Sequence, residues 1–155
     1  MLYILEGCDG SGKTTLAKCL ATLLDAEIIH CSTHTVNDIT FFNKIVEAAR
    51  NRNIVADRFC YGQFVYQTEE ERPLKGTYFN SEQALQSLEM TFLQNKVKVI
   101  LVDAPTSIIE ERLKQRNETL INGLSVSEVQ HRFRELKRKS LLTWLEYNTG
   151  GDGIV

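Results

Sequence analysis

Eight residues near the start of the chain, Gly7-Cys8-Asp9-Gly10-Ser11-Gly12-Lys13-Thr14, have types and spacing suited to holding a polyphosphate. The glycines reach backbone conformations closed to other residues, so successive N–H groups can turn inward around phosphate oxygens. Lys13 offers a mobile positive charge to β- and γ-phosphates, and Thr14 offers a hydroxyl to magnesium. An apolar run, Met1–Glu6, precedes the loop, and apolar residues at helical spacing (Leu16, Leu20, Leu23, Leu24) come after it. A helix beginning near Lys13 points its positive dipole end at the same anion. The run fits G-x-x-x-x-G-K-[ST] without a mismatch. The expected ATP contacts are therefore Gly7, Asp9, Gly10, Ser11, Gly12, Lys13, Thr14 and Thr15. The bland alternative is a glycine-rich turn that binds nothing.

Such a loop serves switches, motors and kinases alike, so the distinction must come from elsewhere. A GTPase needs an N-K-x-D guanine motif. The nearest stretch, Asn95-Lys96-Val97-Lys98, has a lysine where the carboxylate belongs.

The elements that must position the loop alternate. Strands are expected at Met1–Glu6, Glu27–Cys31, Asn53–Ala56, Lys96–Asp103 and Trp144–Tyr147. Helices are expected at Lys13–Leu24, Asp38–Arg50 (capped by Asp38), Phe59–Gln67, Ser81–Asn95, Thr106–Arg116 and from a capping box at Ser127–Gln130 to about Leu141. Loops are expected at Thr68–Asn80 and Asn117–Ser125. Alternation implies a parallel sheet covered on both faces, a three-layer α/β P-loop fold with five strands and a single domain over residues 1–155. Ligands in such sheets bind at the carboxyl ends of the strands, which puts Gly7, Asp57 and Asp103 along one rim.

Composition sets the class. The chain has 155 residues, enough for one domain with a real core. Its formal net charge of −2 argues against a nucleic-acid binder. No apolar run approaches the ~20 residues that span a bilayer. The four cysteines have no C-x-x-C spacing and read as reduced thiols, and no basic leader segment is evident. A soluble cytoplasmic protein is expected, in the host cytoplasm if phage-encoded.

The segments EGCDGSGKTT (Glu6–Thr15), ADRFCYGQFVYQ (Ala56–Gln67) and ILVDAPTSIIEERLKQR (Ile100–Arg116) resemble thymidylate kinases in kind, order and spacing. The likeness is greatest to the short phage-type deoxynucleoside monophosphate kinases. The resemblance implies ATP·Mg²⁺ as donor, a nucleoside monophosphate as acceptor, and a homodimer, since relatives commonly dimerise. It also assigns roles. Asp9 faces the acceptor sugar, where the plain alternative is a turn-forming aspartate. Asp57, with Thr14, positions magnesium, and Arg58 reaches the transferred phosphoryl or the acceptor phosphate; the alternative is an ion pair capping the sheet. Tyr66 and Gln67 lie beside the acceptor base, with Phe59 and Tyr61 as further wall. Arg112 and Arg116, four apart on one helix face, lead into a mobile lid near 112–127 and grip ATP phosphates on closure. The alternative pairs Arg112 with neighbouring glutamates. Asp103 would contact the metal shell or cap the Pro105 helix.

The chain departs from the family pattern in three places. The F-x-x-x-R acceptor-phosphate motif is absent, and Thr33–Asn37 has no arginine. Neither the P-loop nor the lid loop carries an arginine, which leaves Arg112, Arg116 or Arg132 to serve. The chain is short after Leu141, so the tail Asn148–Gly153 would form the adenine loop. His30 and His34 are candidates for acceptor contacts, with a metal site as the less favoured reading, and Trp144 is expected to pack. The competing functions are a P-loop kinase for another small molecule, in which Asp57 or Glu6 would act as base, and a non-kinase NTPase.

Overall fold

The computed structural model describes residues 1–31, 39–67, 82–120 and 123–150. In chain order the elements are β1 (Leu2–Glu6), α1 (Lys13–Leu24), β2 (Glu27–His30), α2 (Ile39–Ala48), β3 (Ile54–Asp57), α3 (Gln63–Tyr66), α4 (Glu82–Leu93), β4 (Val97–Asp103), α5 (Thr106–Gln115), α6 (Val126–Lys139) and β5 (Leu145–Asn148). The five strands form one sheet in the order β2-β3-β1-β4-β5, every pair parallel. This is the three-layer α/β P-loop fold expected from the alternation.

Side-chain alternation along the central strands separates two cores. Leu2 and Ile4 of β1, with Val99 and Leu101 of β4, join the larger cluster, to which α2, α4, α5 and α6 contribute Phe42, Leu88, Ile109 and Phe133. Leu5 and Val102 face the other way and meet Ala17 and Leu20 of α1. Register then aligns the strand ends: Leu5 lies opposite Asp57 and Glu6 opposite Leu101. The loops leaving β1 and β3 consequently emerge side by side.

Some boundaries differ from the sequence expectations. The segment after β3 is helical only over Gln63–Tyr66, because Arg58 takes a left-handed φ of 67° and turns the chain first. The cap of α6 is Ser125, whose hydroxyl accepts from Glu128 N; the true capping box begins two residues before the one at Ser127–Gln130. The box at Ser125 has the glutamate at the third helical position that makes the motif reciprocal in type. Trp144 precedes β5 and packs edge-on against Tyr61 at 4.7 Å. All four cysteines are free. The expected cap Asp38, the first residue of the helix expected from Ser81, the loop over 68–80 and His34 lie outside the described residues. Among the described residues no helix is long and apolar enough to cross a membrane.

Candidate active site

The loop after β1 can take its path only with glycine at its first position. A Cβ on Gly7 would stand 2.2 Å from the Val102 carbonyl oxygen of β4. Gly12, with a φ of 100°, makes the left-handed step that starts α1. Lys13 is buried, and its Nζ donates to the carbonyls of Gly7 (2.7 Å) and Cys8 (3.0 Å). Burial lowers the pKa of this ammonium, while Asp57 and Glu6 work in the opposite direction. The charge is thus held over the loop by two of its own carbonyls. Thr14 Oγ1 donates to Asp57 Oδ2 at 2.9 Å, joining the start of α1 to the end of β3.

A cleft of about 480 Å³ opens over this rim and is lined by Asp9, Lys13, Thr14, Thr15, Asp57, Arg58 and Arg116, together with His30, Cys31 and Glu118. Arg58 forms an ion pair with Asp9, and its guanidinium carbon lies 5.8 Å from the centre of the Tyr66 ring. The Tyr66 hydroxyl accepts from Asp9 N at 3.2 Å, and burial pushes its pKa upward. Asp9 and Arg58 therefore face Lys13 and Thr14, whereas Tyr66, expected beside the acceptor base, is buried against Phe133 and does not line the cleft, supporting Asp9 from behind.

Other residues expected at the acceptor are placed elsewhere. The Phe59 ring packs on Phe42 (4.7 Å) and Phe92 (6.0 Å) in the core and does not line the cleft. An apolar ring one residue past a left-handed turn is driven inward by burial. Gln67 is also buried and lines neither this cleft nor the cavity on the far side of the P-loop. Tyr61 is fully buried, its hydroxyl donating to Glu89 Oε2 at 2.9 Å. His30 was legible only as a candidate near the rim. Its Nδ1 is 3.4 Å from Asp57 Oδ2, on the same oxygen that Thr14 engages.

A second cavity of about 380 Å³ adjoins the P-loop on its other side, with Gly12, Thr15, Cys19, Arg112, Tyr147 and Thr149 in its wall; Arg116 borders both spaces. Arg112 donates to the Gly10 carbonyl (3.0 Å) and to both oxygens of Thr149 (3.0 Å each). Thr149 Oγ1 in turn is hydrogen-bonded to the Ser11 carbonyl. The solvated pairing of Arg112 with glutamates is therefore replaced by a clasp between loop and tail. Thr149 and Tyr147 carried no sequence signal beyond their position in or beside the tail. Arg132 points away from this space: it pairs with Glu128 and donates to Val65 O at 2.7 Å, fixing α6 to α3. Asp103 lines neither cavity and does not cap α5. Its oxygens take Ala104 N, Gln130 Nε2 and Arg134, and the helix cap is Pro105.

Glu6, at the end of β1, is fully buried. Its Oε2 accepts from Tyr61 N (2.8 Å) and Phe59 N (3.4 Å), whereas Oε1 has no partner among the described residues. Burial pushes its pKa up to about 7, against the pull of those N–H groups, Lys13 and Arg58.

Comparison with known proteins agrees with this geometry. No family model matches the chain. The prophage-derived protein YorR of Bacillus subtilis is 28% identical over 159 residues, covering 96% of this chain and 89% of its own. A Methanococcus vannielii protein named "Probable thymidylate kinase" is 24% identical over 163 residues, covering 86% and 78%. Among solved structures, YorR in complex with phosphorylated GDP superposes with a TM-score of 0.78 over 97% of this chain and 86% of that one. Deoxyadenosine kinase from M. mycoides with bound dATP shares the fold, at a TM-score of 0.61, 17% identity and coverage of 100% and 93%. Sheet order, P-loop and these relatives together show a P-loop α/β fold, and the chain is similar to nucleotide kinases built on it.

Proposed function

We propose that the protein transfers the γ-phosphoryl group of ATP to a nucleoside monophosphate, preferentially a deoxynucleotide, and releases the diphosphate. The observation that carries this reading is the shared cleft, in which Lys13 and Thr14 of the donor loop face Asp9 and Arg58, with Tyr66 buried behind them. A phosphate acceptor is already an anion, so the site needs no strong general base; it needs positive charge and alignment. Lys13 would leave its two carbonyls for the β- and γ-phosphate oxygens. Arg58 would neutralise charge spreading over the equatorial oxygens of the migrating group. Arg116, bordering both cavities, stands where it can track that charge from donor to acceptor.

Thr14 and Asp57 supply two hard oxygen donors in hydrogen-bond contact, a set that suits magnesium, which keeps several water and phosphate oxygens of its own. When bound, the ion would screen the β- and γ-phosphate charge. His30, on the outer side of Asp57, would hold that carboxylate in place. The cavity bordered by Arg112, Tyr147 and Thr149 is the natural space for the donor's base and ribose.

YorR was solved with a guanine nucleotide, so the acceptors to be tried include dGMP and GMP as well as dTMP and dUMP. The test is ADP formation from ATP·Mg²⁺ across ribo- and deoxynucleoside monophosphates, nucleosides and a no-acceptor control, with Lys13→Ala alongside. Turnover that requires one of the monophosphates and disappears in the variant is expected. Equal turnover with and without acceptors would leave an NTPase instead.

A further inference from the structure

Phosphoryl transfer in this cleft uses the charged groups that line it from β1 and β3 but leaves Glu6 without a task. A buried carboxylate at the end of a central strand is costly, and burial raises its pKa to about 7. An apolar residue would pack there at no such cost, as Leu2, Ile4 and Leu5 do. Glu6 is also too deep to meet a substrate: it is absent from the cleft wall.

The group it does touch is the turn that carries Arg58. Arg58 sits in the left-handed region, at a φ of 67°, where a Cβ crowds the backbone of any non-glycine residue. Something must over-determine that conformation. The backbone of β1 holds the start of the turn, because Arg58 N donates to Leu5 O at 3.0 Å. The Glu6 side chain holds the far end of the turn, through the N–H groups of Phe59 and Tyr61. The same residue continues directly into Gly7, which is locked against Val102. One side chain therefore joins the donor loop to the acceptor-side arginine.

We propose that Glu6 is a positioning residue that sets the reach of Arg58 relative to the P-loop, and so acts on transfer through Arg58; this rests on the kinase reading of the cleft. Glutamine at this site keeps one carbonyl acceptor but loses the charge that strengthens both N–H bonds. Aspartate keeps the charge but withdraws its oxygens from the turn.

The experiment compares wild type, Glu6→Gln, Glu6→Asp, Arg58→Ala and the Glu6→Gln/Arg58→Ala double variant. Acceptor-dependent kcat and KM are measured for the best monophosphate, together with KM for ATP. Both single Glu6 variants are expected to lose roughly a hundredfold in kcat/KM for the acceptor, the size of loss that an ångström of misplacement produces. The KM for ATP should change little, and adding Glu6→Gln to Arg58→Ala should cost nothing more. Wild-type rates in both single variants, or an undiminished loss on the Arg58→Ala background, would overturn the proposal. A second arm needs no turnover: the Arg58 Nε–H resonance, identified by its absence in Arg58→Ala, should shift in Glu6→Gln. A resonance that stays in place would also overturn it. If wild type shows no acceptor-dependent turnover, the kinase reading fails, and the resonance alone decides whether Glu6 positions Arg58.

Discussion

Glu6 and Glu89 are both buried carboxylates, and they lie in regions organised in opposite ways. Glu89, on α4, has both oxygens engaged: Oε2 takes the hydroxyls of Tyr61 and Ser140, and Oε1 takes Leu141 N at 3.2 Å. Ser140 Oγ then accepts from Leu142 N and from the Trp144 indole. That cluster ties α4, the turn before α3 and the approach to β5 into one staple, and its hydrogen bonding closes on itself. Glu6 sits under the cleft with one oxygen occupied by the Arg58 turn and the other open among the described residues. A satisfied polar cluster in a core specifies a fold. A buried polar atom without a partner calls for a role other than stability. Here that role is at the rim where Lys13, Asp57 and Arg58 converge.

The contrast can be broken by changing each region separately. Lys13→Ala should give the largest effect, a loss of about 10³-fold or more in turnover, the scale of removing a donor aimed at transition-state charge. Its thermal midpoint should not fall, since a buried ammonium is being removed. A variant that simply unfolds would show Lys13 to be a structural residue. Glu89→Ala should do the reverse. Leaving Tyr61, Ser140 and Leu141 N without their acceptor should cost about 3 kcal/mol of stability in denaturant unfolding. The kcat of the folded fraction should be unchanged, and a fall in kcat with stability intact would erase the distinction.

Glu6 sharpens the comparison through pH. Its folded pKa, about 7, lies above the ordinary value of 4.5, so the folded state binds the proton more tightly than the unfolded chain. The stability it contributes is fully present below about pH 4.5 and is lost as pH rises through about 7, a change of roughly 3 kcal/mol. Urea titrations of wild type and Glu6→Gln from pH 4 to pH 8 should diverge by that amount, with the variant relatively more stable at the upper end. Parallel curves would mean that the carboxylate is not titrating in this window. The smallest effect belongs to Thr149→Val. Without the hydroxyl that Arg112 and Ser11 share, the KM for ATP should rise about fivefold, the worth of roughly 1 kcal/mol of neutral hydrogen bonding. No change would detach the tail from donor binding.

The conformation of the P-loop was readable because each of its residues answers to a local requirement. Gly7 must approach a neighbouring strand, Gly12 must turn left, and Lys13 and Thr14 must carry the right chemistry at fixed offsets. Sheet type was readable too, since apolar runs alternated with helical periods. Less legible were features set by tertiary packing. Phe59 and Tyr66 were both expected beside the acceptor, yet both rings are driven into the core, against Phe42 and Phe133, and only the Tyr66 hydroxyl reaches the loop, at Asp9 N. Arg132 and Arg112 are equally basic, but only Arg112 lies where α5 faces the P-loop. Asp103 ends a strand at the rim as Asp57 does, and it is taken over by Gln130 and Arg134 of α6, a helix whose docking no local pattern announces. The clasp of Thr149 on Ser11 spans nearly the whole chain and had no signal at all.

Central to the proposed activity is one cleft that holds both a phosphoryl donor and a phosphate acceptor. Phosphorus NMR of a reaction containing ATP, magnesium and the preferred deoxynucleoside monophosphate tests it most directly. The monophosphate signal should be converted into a nucleoside diphosphate in step with ADP formation, with no release of orthophosphate. Orthophosphate appearing at the rate of ADP, with the monophosphate signal unchanged, would contradict it.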